Sequence, residues 1–321
     1  MDNQTSLDSE VEMLTTEAVI VWLTFFELIA ILIVFFNVGT ILTFATSRNL
    51  RRPSVYCLIN LAVADLLYGL SVIPYGAYHF VLKLFDPRLE SESIAEFVLR
   101  TLMELMFLAS LLSLVGVPIE RLFATFFPFR YRTIKSTFFI KIFAIIWVLS
   151  ILLVIPYQIS SFYGYSSWLN PYSFFIIDLL LLCIIILSYL AIFIKLKLQN
   201  QRHRQHQQQD TVELTQKRER HIAKTLFFVT TLSLSTWLPY IIFELVQLSH
   251  PNRSFGIVSR NVIELIQLSN SLINPIVCLF RMKDFRKAFS KLICKCFHKR
   301  QRIHPMVHDP QKPTLELKFL K

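Results

Sequence analysis

Charged residues are scarce in this chain. Only 17% of its 321 residues are charged, whereas soluble proteins usually carry about a quarter. Glycine is also rare, with six residues, while 29 residues are phenylalanine and 54% are hydrophobic. The shortage of charge argues against an ordinary soluble domain, and the lack of short segments with alternating polarity argues against a membrane β-barrel.

The hydrophobic residues are concentrated in seven long blocks. A helix needs about 20 apolar residues to cross a bilayer, and each block is near or above that length. An α-helix also satisfies its own backbone hydrogen bonds in lipid. We therefore predict an all-α membrane protein, a seven-transmembrane helix bundle within residues 19–280. The predicted spans are 19–46, 55–82, 93–124, 138–158, 171–195, 221–248 and 257–280.

Lysine and arginine are unevenly divided between the two sides of this bundle. Residues 1–17 contain five acidic and no basic residues, whereas the connections that include Arg121 and Lys135 are rich in basic ones. Cytoplasmic connections of membrane proteins are usually the basic ones. We therefore predict an extracellular leader over 1–18 and a cytoplasmic tail over 297–321. The net charge of +11 follows from this asymmetry, so no nucleic-acid partner is predicted.

Glycosylation sequons and cysteine positions agree with this orientation. Asn3 and Asn252 each begin an Asn-X-Ser/Thr sequence in a segment predicted to be extracellular. The five cysteines lie in the spans or in the inner segment after the last span, and none lies in an outside connection. We therefore predict no extracellular disulfide, although disulfides are usual in that compartment.

The segment after the last span, residues 281–296, has the pattern of an amphipathic helix. Its apolar residues recur every three or four positions with basic residues between them: Met282, Phe285, Phe289 and Leu292. Such a helix is expected to lie on the inner leaflet of the membrane. Cys294 and Cys296 follow directly, where S-acylation would attach the segment to the membrane. The alternative is that both are unmodified thiols.

Polar residues interrupt several apolar spans near the middle or the inner half. The set is Asn37, Asp65, Ser110, Asn270, Ser271 and Asn274. A charged residue at the centre of a membrane helix costs about 2.5–3.5 kcal/mol on insertion scales. Asp65 is therefore expected either to have a polar partner in the bundle or to serve a function. One interpretation is hydrogen bonding between helices. The other is a cage of oxygen atoms for a small cation and water.

Short motifs occur in a fixed order along the spans. They are Asn37, LAVAD at 61–65, IERLF at 119–123, Trp147, Tyr189, TWLP at 236–239 and NSLINPIVCLF at 270–280. In this order they resemble the rhodopsin-like (class A) G-protein-coupled receptors over about residues 20–295. The resemblance implies a plasma-membrane receptor, not an enzyme, that binds an extracellular ligand and activates a heterotrimeric G protein by changing conformation. It also implies contacts with membrane lipid, arrestin and a second receptor copy.

The resemblance gives the polar cluster and two prolines a role. Asp65 would hold a sodium ion and water, as an allosteric modulator that stabilises the inactive packing. The other residues of this pocket would be Ser110, Asn270, Ser271 and Asn274. Trp237, Pro239 and Pro275 would form the activation hinge, because proline removes a backbone hydrogen bond and permits a kink.

The resemblance also implies a G-protein switch at the inner end of span 3. Arg121 would pair with Glu120 beside it and with Glu219 at the inner end of span 6. Breaking the second pair would free Arg121 to meet a G protein. A surface pair of this kind contributes only about 0–1 kcal/mol, so it would bias the equilibrium without locking it. Tyr189 in span 5 would belong to the same switch.

Several positions depart from the pattern of these receptors. Leu122 replaces the tyrosine of the DRY motif, Cys278 replaces the tyrosine of NPxxY, and Ser233 replaces a phenylalanine. Glu96 replaces a cysteine of span 3 and Leu181 replaces the proline of span 5, losses that are similar to those of the melanocortin, cannabinoid and lysophospholipid receptors. These departures leave a second interpretation open: a receptor-like protein with little G-protein coupling that acts as a heteromer partner or a decoy.

The ligand pocket is predicted at the outer ends of the spans. Met103 stands where amine receptors have aspartate, and Leu268 stands where opsins have the retinal-binding lysine, so a peptide or a lipid is favoured. The pocket candidates are Met103, Glu104, Asp178, Trp237, Glu244 and Glu264. We expect Asp178, with Glu104 or Glu264, to contact a basic or polar ligand group. The alternative is that Glu104 and Glu264 are neutralised by the arginines four residues before them.

Overall fold

The computed structural model describes residues 16–47, 50, 53–85, 93–164, 171–205, 228, 231–247, 249–250 and 256–301. Within these ranges the chain is helical, and no residue belongs to a strand. The helices are α1 (Thr16–Thr46), α2 (Pro53–Phe85), α3 (Ile94–Phe126), α4 (Pro128–Arg132), α5 (Ser136–Phe162), α6 (Pro171–Gln205), α7 (231–247), α8 (Ile257–Arg281) and α9 (Lys283–Gln301).

The order of these helices agrees with the predicted spans. Six of them, α1, α2, α3, α5, α6 and α8, are long and apolar enough to cross a membrane. α7 occupies part of the sixth predicted span, and the rest of 221–248 lies almost entirely outside the described residues. The short helix α4 has no counterpart among the predictions. It begins at Pro128 in the second inner connection, and the fixed φ of proline suits a first helical turn.

α3 lies at the centre of the bundle. Every residue from Leu108 to Val115 is buried, so this stretch of the helix is covered on all sides, and α3 contacts α2, α5 and α6. The outer helices instead expose large apolar side chains, such as Phe35 on α1 and Leu187 on α6, as expected of surfaces that face lipid. Polar side chains in this stretch of α3, and those turned toward it, are therefore shielded from lipid.

α9 packs against the inner half of α1, and the predicted amphipathic helix is confirmed. Phe285 is fully buried, and its ring centroid lies 4.9 Å from that of Phe44. Phe289, also buried, lies over Gly39, where the absence of a side chain leaves room for the aromatic ring. The apolar face of α9 is thus fixed by aromatic contacts with α1.

Replacing Gly39 with alanine is expected to destabilise this packing by about 1–3 kcal/mol, the usual range for overpacking. A Cβ atom at Gly39 would lie 2.6 Å from Cε2 of Phe289, so the ring has to move. Gly116→Ala is the matched control, because a Cβ atom there would lie 3.8 Å from Cδ1 of Ile146, an ordinary contact. Thermal unfolding of the purified protein checks this prediction. A lower melting temperature for Gly116→Ala than for Gly39→Ala would contradict it.

Several sequence predictions fall on residues that the structure does not describe. The glycosylation sites Asn3 and Asn252 and the switch residue Glu219 lie outside the described residues, as does the side chain of Cys296. Cys294 is described and is exposed. Glycosylation, acylation and the pairing of Arg121 with Glu219 therefore stay predictions.

Candidate functional site

Asp65 is the centre of a buried polar cluster that joins three helices. Its side chain, on α2, is fully buried. Oδ1 accepts hydrogen bonds from Ser110 Oγ on α3 and, at 2.8 Å, from Ser271 Oγ on α8. Oδ2 accepts a hydrogen bond from Asn274 Nδ2 at 3.0 Å. Three donors therefore satisfy a carboxylate that would otherwise be stranded in an apolar bundle.

Pro275 explains why Asn37 belongs to the same region. Proline has no N–H, so the carbonyl of Ser271, four residues earlier, loses its usual helical donor. Asn37 Nδ2 on α1 donates to that carbonyl at 3.2 Å and to the Ile33 carbonyl of its own helix at 2.9 Å. A side chain from α1 thus replaces a backbone hydrogen bond of α8 and fixes the part of α8 around Pro275 to α1.

The oxygen atoms around Asp65 suit a small hard cation. Asn274 Oδ1 is buried and has no hydrogen-bond partner among the described residues. The carboxylate of Asp65 and the hydroxyl oxygens of Ser110 and Ser271 complete a set of oxygen ligands, which is the kind that such cations prefer. The residues present therefore fit a bound sodium ion.

Asn270 has a different set of contacts from the other predicted members of this pocket. Its Oδ1 accepts a hydrogen bond from Thr236 Oγ1 on α7 at 3.3 Å. Its side chain is buried but makes no described hydrogen bond to Asp65. Asn270 therefore connects α8 to α7, next to Trp237.

The second polar cluster lies at the inner end of α3. Glu120 accepts hydrogen bonds from Arg121 Nε at 2.5 Å and from Arg121 Nη2 at 2.8 Å. Tyr131 on α4 donates a further hydrogen bond to Glu120 and lies 3.4 Å from Arg121 Nη2. Burial and the charge of Glu120 raise the pKa of Tyr131, so its phenol remains a donor at neutral pH. Glu120 and Arg121 are 8% and 6% exposed, so the pair is buried.

The predicted switch residue Tyr189 and the predicted hinge residues lie on α6, α7 and α8. Tyr189 on α6 is buried against an apolar group that includes Val117 on α3. Trp237 is 2% exposed, and its ring lies 5.4 Å from that of Phe107 on α3. Pro239 lies two residues after Trp237 in α7, and Pro275 lies inside α8.

A cavity of about 830 Å³ opens among the outer halves of α1, α2, α3, α7 and α8. Four of the predicted pocket residues line it: Met103, Glu104, Glu244 and Glu264. Trp237 is not among its lining residues, because the rings of Phe107 and Tyr240, which do line it, pack against Trp237. Asp178 is not among them either: it is buried on α6, a helix that contributes none of the described lining residues.

Side-chain contacts join α2 to α3 at the outer end of the bundle, where the usual disulfide cysteine is replaced by Glu96. His79 Nδ1 lies 3.0 Å from Glu96 Oε1, and Tyr78 Oη lies 2.8 Å from Ser93 Oγ. Ser93 also accepts a hydrogen bond from the backbone N–H of Glu96 at 3.1 Å and thereby caps α3. The cap at Ser93 was not predicted, although Ser-X-X-Glu before an apolar run is the usual signature of such a cap.

Two further polar features were also missed. Asn60 Nδ2 on α2 donates to Ser113 Oγ at 2.7 Å, and Asn60 Oδ1 accepts from Trp147 Nε1 at 3.3 Å, which joins α2, α3 and α5. Glu27 on α1 lies beside Gly76 of the cavity wall, and its buried Oε1 has no partner within the described part of the chain. The signal for Glu27 is the one that identified Asp65, an acid inside an apolar run.

Comparisons with known proteins give the family context of this geometry. The family described as 7 transmembrane receptor (rhodopsin family) matches residues 36–277. Adenosine receptor A2b of Homo sapiens is 28% identical, over 83% of this chain and 88% of the relative. Pinopsin of Columba livia is 24% identical, over 83% of this chain and 79% of the relative. Blue-sensitive opsin of Gallus gallus is 27% identical, over 80% of this chain and 74% of the relative.

Proposed function

Because this chain belongs to the rhodopsin family of seven-transmembrane receptors, we propose that it binds an extracellular ligand in the cavity and activates a heterotrimeric G protein. Its leader would face the outside of the plasma membrane, and its basic connections would face the cytoplasm. The receptor performs no bond chemistry in this proposal. Ligand binding shifts the population between two helix packings, and the G protein responds to the inner face.

The buried pair of Arg121 and Glu120 is the observation that carries this proposal. A buried ion pair is weak evidence for stability, because desolvation offsets much of the attraction. The buried ion pair instead acts as a switch. While Glu120 and Tyr131 hold the guanidinium, Arg121 cannot reach a partner protein. An outward movement of neighbouring helices would expose Arg121 to the cytoplasm, where a G protein binds.

We also propose a sodium ion at Asp65, held with Ser110, Ser271 and Asn274. The unpaired oxygen of Asn274 supports this assignment. A bound cation would neutralise the buried carboxylate and stabilise the contacts among α2, α3 and α8. Asn270 would act from its place between α7 and α8 and not as a direct partner of Asp65.

A second candidate function is a receptor-like protein that couples little to G proteins. Cys278, at the position of the expected tyrosine, is buried in an apolar cluster with Phe44 and Phe285. The inner end of α8 therefore has a thiol where receptors of this family have a phenol. Such a protein would serve as a heteromer partner or a decoy.

Nucleotide exchange separates these two functions. In membranes that contain the receptor and promiscuous G proteins, we expect the wild type to accelerate exchange with some member of a panel of peptides, lipids and amines. Arg121→Ala is expected to reduce this to the rate without receptor, because the switch residue is lost. Arg132→Ala, which changes an exposed arginine of α4, is the matched control and should keep the wild-type rate. Equal, negligible rates for all three proteins at equal receptor density would support the second function.

A further inference from the structure

The charges on the cavity wall indicate the chemistry of the ligand, an inference that rests on the proposed ligand site. Glu104 on α3, Glu244 on α7 and Glu264 on α8 line the cavity, together with the single arginine Arg260 among its described charged residues. We propose that the cavity binds a short peptide with two positive groups, such as a free N-terminal amine and one basic side chain. Three observations carry this proposal: a surplus of negative charge, an unpaired amide donor and the aromatic wall.

The negative surplus persists when the residues behind the wall are included. Glu104 lies within electrostatic range of both Glu244 and Glu264. Arg260 interacts with Glu244, and Arg100 interacts with Glu104. The described lining has three acidic side chains and one guanidinium, a formal surplus of two negative charges. Like charges that share an apolar cavity repel one another, so a ligand with two positive charges gains more there than one with a single charge.

Asp178 adds a further acid behind the wall. It lies within electrostatic range of Glu104 and Glu244, although it does not line the cavity. Arg100 offsets Asp178, and Glu27, whose carboxyl lies beside Gly76 of the wall, brings the formal surplus to three negative charges. His79 adds no full charge while neutral, and it is already hydrogen-bonded to Glu96.

An unpaired amide in the wall points to a ligand with a carbonyl oxygen. Asn261 lines the cavity and is 6% exposed, yet its Nδ2 has no hydrogen-bond partner among the residues that the structure describes. A buried donor without an acceptor is unfavourable, so a ligand that supplies the acceptor gains affinity. The backbone carbonyl of a peptide is such an acceptor, whereas a simple diamine has none.

The rest of the wall suits an apolar and aromatic ligand body. Tyr68 and Phe107 lie with ring centroids 5.6 Å apart, and Tyr75 stacks on His79 at 5.5 Å. Aromatic faces attract cations as well as other rings. The volume of about 830 Å³ is near the upper end of ordinary ligand pockets, which favours a short peptide over a monoamine. An anionic lipid headgroup would be repelled by the three carboxylates.

Calorimetric titration of the purified full-length receptor, with no G protein present, tests the proposal. The probes are Arg-Phe-Phe amide with two positive charges, its N-acetyl form with one, N-acetyl-Gln-Phe-Phe amide with none, and oleoyl lysophosphatidic acid. We expect the affinity to fall about tenfold with each charge removed, and the lipid to bind weakest. Equal affinities for the peptides, tighter binding of the lipid, or no binding of the doubly charged peptide at millimolar concentration would overturn the proposal.

Variants locate the effect within the cavity. Glu104→Gln and Glu264→Gln are expected to reduce the ratio between the affinities of the doubly and singly charged peptides. Asn261→Leu is expected to weaken all three peptides by a similar factor and leave that ratio unchanged. Glu17→Gln, at the exposed start of α1, is the control and should match the wild type. If these glutamates can be replaced without changing the ratio, the assignment is wrong.

These measurements separate two kinds of failure. A receptor that prefers the doubly charged peptide but never accelerates nucleotide exchange would refute the G-protein proposal and leave the ligand class standing. A receptor that signals to a lipid or a neutral ligand, with no charge preference among the peptides, would refute the ligand class alone.

Discussion

Replacing Asp65 with asparagine is expected to abolish the stabilisation of the receptor by sodium chloride. A ligand that binds only the folded state stabilises it by about 1.4 kcal/mol at ten times its dissociation constant. The wild type should therefore melt at a higher temperature in sodium chloride than in choline chloride at equal ionic strength. Asparagine retains an oxygen that can accept hydrogen bonds from Ser110 and Ser271, but it lacks the charge that attracts the cation.

Two serines on α3 provide a matched pair for the same measurement. Ser110 donates to Asp65, whereas Ser113, also buried and one turn away, binds Asn60 and the carbonyl of Ala109. We expect Ser110→Ala to reduce the sodium-dependent shift in melting temperature and Ser113→Ala to preserve it. A shift that survives in Asp65→Asn, or is lost equally in both serine variants, would contradict a cation site at Asp65.

The core of the Asp65 cluster was predictable from the sequence because few alternatives existed. A carboxylate inside an apolar span can meet only other polar residues at the same depth, and Ser110, Ser271 and Asn274 have that depth. Asn270 shows the limit of the method. It is one residue from Ser271, and about 100° of helical rotation takes its side chain to Thr236 on α7. Sequence spacing gives depth but not the rotation of one helix against another.

The same limit explains the mixed result for the ligand pocket. Glu104, Glu244 and Glu264 line the cavity, while Asp178 and Trp237 do not. The depth of all five residues could be predicted from hydropathy. Packing between helices decides which side chains reach the cavity; aromatic residues, for example, separate Trp237 from it. The sequence of a single span does not predict this packing.

The contact between His79 of α2 and Glu96 of α3 was not predicted, for a different reason. The sequence showed only that the usual cysteine is absent, with Glu96 in its place. The structure shows that Glu96 lies 3.0 Å from His79, which stands 17 residues before it in the chain. Because the two residues belong to different helices, this pairing depended on knowing the register between α2 and α3.

Replacing Glu120 with glutamine is expected to raise nucleotide exchange in the absence of ligand. Glu120 accepts three hydrogen bonds, two from Arg121 and one from Tyr131. Glutamine offers one neutral oxygen, so Arg121 loses its ion pair and is held less firmly. Hydrogen bonds to charged groups contribute about 1.5–3 kcal/mol, and 1.4 kcal/mol corresponds to a tenfold change in population. We therefore expect about a tenfold or greater increase in the basal rate, up to saturation.

Two further variants make this prediction specific to the buried pair. Tyr131→Phe removes one of the three hydrogen bonds to Glu120 and the longer one from Arg121 Nη2. It keeps the ion pair, so its basal rate should rise less than that of Glu120→Gln. Asp284→Asn removes a negative charge from the exposed face of α9 on the same side of the membrane and should leave the basal rate unchanged. Rates are compared at equal amounts of folded receptor, because an uncompensated Arg121 also lowers stability. If Glu120→Gln folds and exchanges nucleotide no faster than Asp284→Asn, then the pair does not restrain Arg121, and the receptor-like protein with little coupling becomes the better interpretation.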